Sequence, residues 1–152
     1  MKYKRLFSIL FVFTVTAIIF NFSLKNADIS NAQSGLFVNI AQQILVHFPS
    51  IQIDVDTLTH IIRKLAHFSE YGGLGISIAL VLLSYPKTNK LSYLWILYGV
   101  LVPIIDECIQ YFVPGRSCQI SDMLLDMSGC ACGLVICLLI SNLFLRKNNC
   151  KA

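Results

Sequence analysis

The sequence has few charged residues and no long polar stretch that could form a soluble domain. Only 13% of its 152 residues are Asp, Glu, Lys or Arg, against roughly 25% in an ordinary soluble domain, whereas 56% are hydrophobic. This scarcity of charge excludes a soluble globular protein and, with a mean hydropathy of +0.70, predicts a membrane protein. The formal net charge is +4, but the basic residues form short clusters beside apolar runs, which argues against nucleic-acid binding.

The sequence also lacks a cysteine motif that would bind a metal. None of its six cysteines has the CxxC spacing of a zinc site. Cys130 and Cys132 would point about 200° apart on a helix, so they cannot both face one ion. We therefore expect no metal and no other cofactor, and we interpret the cysteines as buried side chains, with Cys118 as a loop thiol or a partner for Cys108.

Four apolar runs are long enough to cross a bilayer, which requires about 20 helical residues. They predict membrane spans at about residues 6–22, 65–85, 91–113 and 122–145. The first run follows a basic cluster but lacks a small-residue cleavage site, so we interpret it as an anchor rather than a signal peptide. Pro103, within the third run, removes a helical hydrogen bond and predicts a kink just before Asp106.

Residues 23–56 form the only substantially polar stretch and are predicted to be extracytoplasmic. Between Phe37 and Phe48, apolar residues recur at helical spacing, which predicts an amphipathic helix on the membrane interface. Asp56 is predicted to cap the next helix. The predicted fold class is therefore all-α: one polytopic membrane domain over residues 1–152, with four transmembrane helices and an interfacial helix between the first and second.

The distribution of charge predicts the orientation of these spans. Eight of the twelve basic residues flank the membrane on the side of the N-terminus: Lys2, Lys4, Arg5, Lys87, Lys90, Arg146, Lys147 and Lys151. Cytoplasmic segments carry an excess of Lys and Arg, so both termini are predicted to be cytoplasmic. All eight acidic residues fall in the opposite, outer half of the protein, which agrees with this orientation.

Each of the last three spans carries a polar stripe near its outer end. The stripes consist of Arg63, Lys64, His67, Glu70 and Tyr71, then Asp106, Glu107 and Gln110, then Asp122 and Asp126. Charges that face lipid are costly, so we expect the stripes to turn inward and meet, together with Arg116 from the last loop. Three cationic and five acidic side chains give a net charge of −2, so a carboxyl group is protonated, His67 is charged, or a cation or cationic ligand group binds.

Two of these features also have a purely structural explanation. The polar stripes could form an ion-pair network that fastens three helices and binds no ligand. Gly129 and Gly133 form a GxxxG face on the fourth span, which allows a neighbouring helix to approach closely. Such faces indicate helix packing more often than they indicate function.

An ordered set of motifs runs through the second to fourth spans, over roughly residues 60 to 135. It comprises the run from Arg63 to Gly75, the segment from Asp106 to Gln110, the loop from Pro114 to Ser117, and Asp122 followed by Gly129. This set resembles the VanZ-like family. The resemblance implies a small multi-pass protein of the bacterial cell membrane, in a family named for a member linked to low-level resistance to the glycopeptide antibiotic teicoplanin. No established reaction comes with it.

The positions that match the family motifs have no assigned roles. They are Lys64, His67, Glu70, Tyr71, Asp106, Glu107, Gln110, Gly115, Arg116 and Asp122. Asp126 stands where the family would often have Asn, so the resemblance gives no role to its carboxyl group.

Three functions are compatible with this sequence. The favoured one is a non-enzymatic envelope protein, whose outer pocket binds a cell-wall precursor, teichoic acid or lipid head group. Its candidate binding residues are Arg63, Lys64, Tyr71, Gln110, Arg116 and Asp122. The alternative is a membrane-embedded enzyme for a lipid-linked envelope substrate, with His67, Glu70, Asp106 and Glu107 as catalytic candidates, although no convincing nucleophile is present. An ion path ranks last, because the inner halves of the spans carry almost no ionisable residue.

Overall fold

The computed structural model describes residues 2–48, 53–85 and 90–149, and these residues form five α-helices and no strand. The helices are α1 (Lys2–Ser23), α2 (Ala27–Leu45), α3 (Val55–Leu83), α4 (Lys90–Tyr111) and α5 (Ile120–Asn149). All except α2 contain a stretch long and apolar enough to cross a membrane. The predicted all-α architecture with four candidate spans is thereby confirmed. Lys87 and Lys151, two of the residues used to predict orientation, lie outside the described residues.

The helix starts are fixed by short polar side chains. The Asn26 side chain accepts a hydrogen bond of 3.0 Å from the Ile29 amide at the start of α2. At the start of α3, the Asp54 carboxylate accepts 2.7 Å hydrogen bonds from both the hydroxyl and the amide of Thr57. These bonds lower the pKa of Asp54, the hydroxyl having the larger effect.

The cap of α3 corrects one prediction from the sequence. Asp56 lies in the first turn of α3, and Asp54 is the capping residue. The backbone of Asp54 is extended, and Thr57 stands three residues later, where both its amide and its hydroxyl can donate to the cap. As a result α3 begins at Val55, two residues earlier than a helix capped by Asp56 would begin.

The central helix of the bundle is α3, which contacts each of the other four helices and packs most extensively against α5. The two helices approach so closely that a Cβ atom at Gly75 would collide with the Cys130 carbonyl. A Cβ at Gly129 would collide with the Phe68 carbonyl, and one at Gly133 with that of Gly72. These contacts confirm that the GxxxG face serves helix packing.

Apolar and aromatic side chains fill the half of the bundle away from the polar stripes. Leu74, Ile78 and Val81 of α3 are fully buried there. Between α1 and α4, the rings of Phe13 and Tyr98 meet edge to face, and the Tyr98 hydroxyl donates a 2.9 Å hydrogen bond to that of Thr16. These contacts connect the first span to the rest of the bundle.

The cysteines depart from the expectation that they are buried. Cys130 is buried and Cys137 half-buried, whereas Cys108, Cys118 and Cys132 are exposed free thiols. In a bundle of four helices each helix keeps one side turned outward, and a small apolar side chain is acceptable there as well as in the core. Cys108 and Cys118 therefore form no disulfide in this structure.

Candidate functional site

The polar stripes come together at one end of the bundle, where α3 and α5 begin and α4 ends. We call this the polar end. Two adjoining spaces open there: a small cavity between α3, α4 and α5, and a larger pocket that α1 and α2 help to form. The sequence predicts a single pocket, and the second space arises because α2 packs against α3.

The smaller space, here called the inner cavity, has a volume of about 20 Å³. It is lined by His60, Arg63, Lys64, His67, Glu107, Gln110, Asp122, Leu125 and Asp126. One water molecule requires a cavity of roughly 10–15 Å³, so the inner cavity has room for one water or one ion. Most of its lining groups are ionisable, which makes it a site for a small polar occupant.

Three carboxylates beside the inner cavity are almost completely buried. Asp106 is 0% exposed, and Glu107 and Asp126 are each 1% exposed. One oxygen of Asp106 accepts a 2.9 Å hydrogen bond from the Gln110 amide, and one oxygen of Glu107 accepts a 3.0 Å bond from the Gln119 backbone amide. Neither oxygen of Asp126 accepts a hydrogen bond from any described residue. Buried carboxylates normally have such partners, so Asp126 stands out.

One ion pair and one longer histidine–carboxylate contact link α3 to α5 at this end. The Lys64 ammonium lies 3.0 Å from the Asp122 carboxylate, and both side chains are about one-third exposed. The His67 Nδ1 lies 3.9 Å from the Asp126 carboxylate, deeper in the bundle. The first pair is screened by solvent and contributes little stability, whereas the second is too long for a hydrogen bond.

The larger space, here called the arginine pocket, has a volume of about 250 Å³. It is lined by Phe22, Ser30, Ser34, Phe37, Ile62, Arg63, Ala66, His67, Glu70 and Arg116. Two guanidinium groups and two hydroxyls therefore share a space with aromatic and aliphatic side chains. This combination suits a molecule that has both an anionic group and an apolar part.

A tight turn between α4 and α5 places Arg116 in the arginine pocket. The Arg116 amide donates a 3.1 Å hydrogen bond to the Val113 carbonyl, and Gly115 has a φ of 76°. Pro114 and Gly115 thus occupy the two central positions of a type II turn, the second of which requires positive φ. A residue with a side chain at position 115 would be strained, so Gly115 supports the position of Arg116.

The Arg116 side chain is half-buried, and two of its guanidinium nitrogens, Nε and Nη1, have no hydrogen-bond partner among the described residues. Burial lowers the pKa of Arg116, and the nearby positive charge of Arg63 lowers it further. Because two cationic groups face the same space, an anion that binds there would relieve their repulsion.

The structure separates the predicted site residues into groups. Lys64, Gln110 and Asp122 line the inner cavity with Glu107, whereas Glu70 and Arg116 line the arginine pocket. Arg63 and His67 line both. Asp106 and Tyr71 line neither space and are fully buried. The Tyr71 hydroxyl has no hydrogen-bond partner among the described residues, although it lies within the electrostatic influence of Asp106.

Several lining residues were not predicted from the sequence. They are Phe22, Ser30, Ser34, Phe37, His60, Ile62, Ala66 and Leu125. One sequence pattern could have indicated that α2 contributes to a pocket. Ser30 and Ser34 are four residues apart and therefore share one helix face. The predicted amphipathic helix began only near residue 37, whereas α2 begins at Ala27 and includes both serines.

A family model described as VanZ/LLP1 matches residues 7–141 of the chain. This stretch includes every residue that lines the two spaces and most of each candidate membrane span. No match was found among curated proteins or among solved structures. The family match covers most of the sequence and agrees with the motifs on α3, α4 and the start of α5, so this chain is a member of the VanZ/LLP1 family of membrane proteins.

Proposed function

We propose that this protein acts in the bacterial cell envelope by binding the phosphate group of an amphipathic envelope component in its arginine pocket. The observation that carries the proposal is the pair Arg63 and Arg116 beside a 250 Å³ space that also has an apolar wall. Lipid head groups, lipid-linked cell-wall precursors and teichoic acids all carry phosphate. The shared chemistry that the pocket recognises is therefore a phosphate group next to an apolar chain.

The polar lining of the pocket supports phosphate binding. Arginine binds phosphate through two parallel N–H donors, and Arg116 has two nitrogens without a partner among the described residues. The Ser30 hydroxyl supplies a further polar group, whereas the Ser34 hydroxyl donates a 3.1 Å hydrogen bond to the Ser30 carbonyl. Two arginines and Glu70 give a net charge of +1, which balances a phosphodiester of charge −1.

The apolar lining supports the second half of the proposal. Phe22, Phe37 and Ile62 lie beside the polar groups, on α1, α2 and α3. A molecule whose phosphate reaches the arginines can therefore place its first methylene groups against these side chains. In the orientation predicted from the basic residues the pocket faces outward, on the side where glycopeptides meet their target.

Antibiotic susceptibility tests this proposal in cells. A teicoplanin-sensitive bacterium would express the wild type, Arg116→Ala or Glu70→Gln, with the abundance of each protein in the membrane measured in parallel. We expect protection by the wild type and by Glu70→Gln, which makes the pocket more positive, and loss of protection in Arg116→Ala at equal abundance. Arg5→Ala is the control, because Arg5 stacks on Tyr85 at the opposite end of the bundle. Equal protection by all variants would exclude a role for the arginine pocket.

Direct binding provides the second arm of the test. Purified protein would be mixed with nanodiscs that contain phosphatidylglycerol, or with a lipid-linked diphosphate, and bound lipid counted by native mass spectrometry. We expect Arg116→Ala to bind at least about tenfold more weakly, which corresponds to the loss of one charge-assisted contact of about 1.4 kcal/mol. A preference for one lipid would identify the source of the phosphate, and no difference between variant and wild type would overturn the proposal.

The enzymatic alternative is favoured by one observation, the position of His67 on the wall shared by both spaces. The carboxylate within 4 Å of its ring is that of Asp126, 3.9 Å from Nδ1. An imidazole beside a bound phosphate could transfer protons to or from the substrate. Incubation of wild type and His67→Gln with a lipid-linked diphosphate, followed by product analysis, distinguishes an enzyme from a binding protein.

A further inference from the structure

We propose that His67, Asp106 and Asp126 form a binding site for one divalent transition-metal ion such as Zn²⁺ or Mn²⁺. Each residue offers one ligand atom, and these atoms lie within 4.8 Å of one another. The three side chains come from α3, α4 and α5, so an ion bound here would connect three helices. The proposal departs from our expectation of no metal, and it does not depend on phosphate binding in the arginine pocket.

A second observation that supports a bound cation is the presence of buried carboxylate oxygens without hydrogen-bond partners. One oxygen of Asp106 and both oxygens of Asp126 have no hydrogen-bond partner among the described residues, although both side chains are at least 99% buried. Two carboxylates this close in a low-dielectric interior repel each other strongly. A divalent cation neutralises both charges and uses the oxygens that lack partners.

Neither Lys64 nor Arg116 forms an ion pair with Asp106 or Asp126, although the charge of Arg116 acts on Asp106 at longer range. Lys64 pairs with Asp122 at the rim, 3.0 Å away, and Arg116 lines the arginine pocket. His67 approaches Asp126 to 3.9 Å, which is too far for a hydrogen bond but leaves space for an ion bound to both. Metal bonds of about 2.1 Å place neighbouring ligand atoms about 3 Å apart, so small side-chain rotations would complete the site.

The donor set indicates the class of metal. One imidazole nitrogen and two carboxylate oxygens suit Zn²⁺, Mn²⁺ or Fe²⁺, whereas Ca²⁺ and Mg²⁺ favour oxygen ligands alone. The inner cavity beside His67 and Asp126 has room for one water, which would supply a further ligand. Gln110 holds Asp106 through its 2.9 Å hydrogen bond and so orients one metal-binding carboxylate.

Metal content of the purified full-length protein tests the site. The protein in detergent would be treated with a chelator, re-equilibrated with micromolar Zn²⁺ or Mn²⁺, and analysed by elemental mass spectrometry. We expect about one ion per chain in the wild type and a loss of more than about tenfold in affinity for His67→Gln and Asp126→Asn. Asp56→Asn is the control, because it removes an exposed acid in the first turn of α3 that lines neither space and should leave binding unchanged.

The absorption spectrum of Co²⁺ bound to the wild type tests the site even if the variants fail to fold. Co²⁺ bound to imidazole and carboxylate gives ligand-field bands without a cobalt–thiolate band, whereas Co²⁺ bound to the exposed cysteines gives a thiolate band. Bands of the first kind at one ion per chain support the site. Less than about one-tenth of an ion per chain, a thiolate band, or equal loss in Asp56→Asn would overturn it. The measurement uses no added phosphate ligand, so failure of the phosphate proposal would leave this result intact.

Discussion

The two ends of the bundle are stabilised in different ways. In the apolar half, Leu74, Ile78 and Val81 are buried among side chains of their own kind, and the Tyr98 hydroxyl has a partner. At the polar end, Asp106 and Asp126 are equally buried but keep oxygens without partners among the described residues. Selection for stability alone would remove such groups, because an apolar side chain of similar size avoids the desolvation penalty. The two binding proposals made above would account for this difference.

Substitution of Gly75 by alanine tests the packing side of this comparison and should have the largest effect on stability. A methyl group there collides with the Cys130 carbonyl, which is backbone and cannot turn aside. We expect a loss of about 3 kcal/mol in the free energy of unfolding, measured by denaturation in detergent. Gly73→Ala is the control, since nothing lies within 4 Å of a Cβ at that position. Equal stability of the two variants would show that α3 and α5 can separate without cost.

Substitution of Asp126 by leucine tests whether the buried carboxylate at the polar end lowers the free energy of unfolding. In protein stripped of divalent metal, we expect Asp126→Leu to be more stable than wild type by about 1–2 kcal/mol, because a buried carboxylate without hydrogen bonds is removed. The measurement is unfolding in the presence of a chelator. Asp122→Leu, which breaks the partly exposed pair with Lys64, should change stability by no more than about 0.5 kcal/mol. Destabilisation by Asp126→Leu would instead make this residue a structural brace.

Substitution of Tyr98 by phenylalanine should have the smallest effect of the three. It removes the hydroxyl that donates to Thr16 but keeps the ring that packs against Phe13. The expected loss is about 1 kcal/mol, the net value of one hydrogen bond. Thermal unfolding of Tyr98→Phe, Thr16→Val and the double variant provides the measurement. Additive effects of the two single substitutions would show that the hydrogen bond contributes no coupling between α1 and α4.

The sequence was sufficient to predict the helices and the convergence of the polar stripes. Apolar runs and the cost of placing charge in lipid determine both, and neither depends on details of packing. The stripes on α3, α4 and α5 meet as expected, and Gly129 and Gly133 lie against the α3 backbone.

The division of the polar end into two spaces could not be predicted, because it depends on how α2 rests against α3. Ser30 and Ser34 are ordinary polar residues until that packing turns them toward Arg63. The proximity of His67, Asp106 and Asp126 likewise depends on the rotation of three helices about their axes, which periodicity alone does not fix to within a few ångströms. The α3 cap was missed because Asp54 and Asp56 are the same residue type two positions apart, and each has a threonine three residues later, Thr57 and Thr59, so the local pattern fits both.

His67 lies on the wall that the inner cavity shares with the arginine pocket, and this position has a thermodynamic consequence. A ligand on one side that fixes the imidazole ring changes the free energy of binding on the other side. Linkage requires the effect to be reciprocal: if a cation strengthens phosphate binding by some factor, phosphate strengthens cation binding by the same factor. The occupancy of each site would then depend on the concentrations of both ligands.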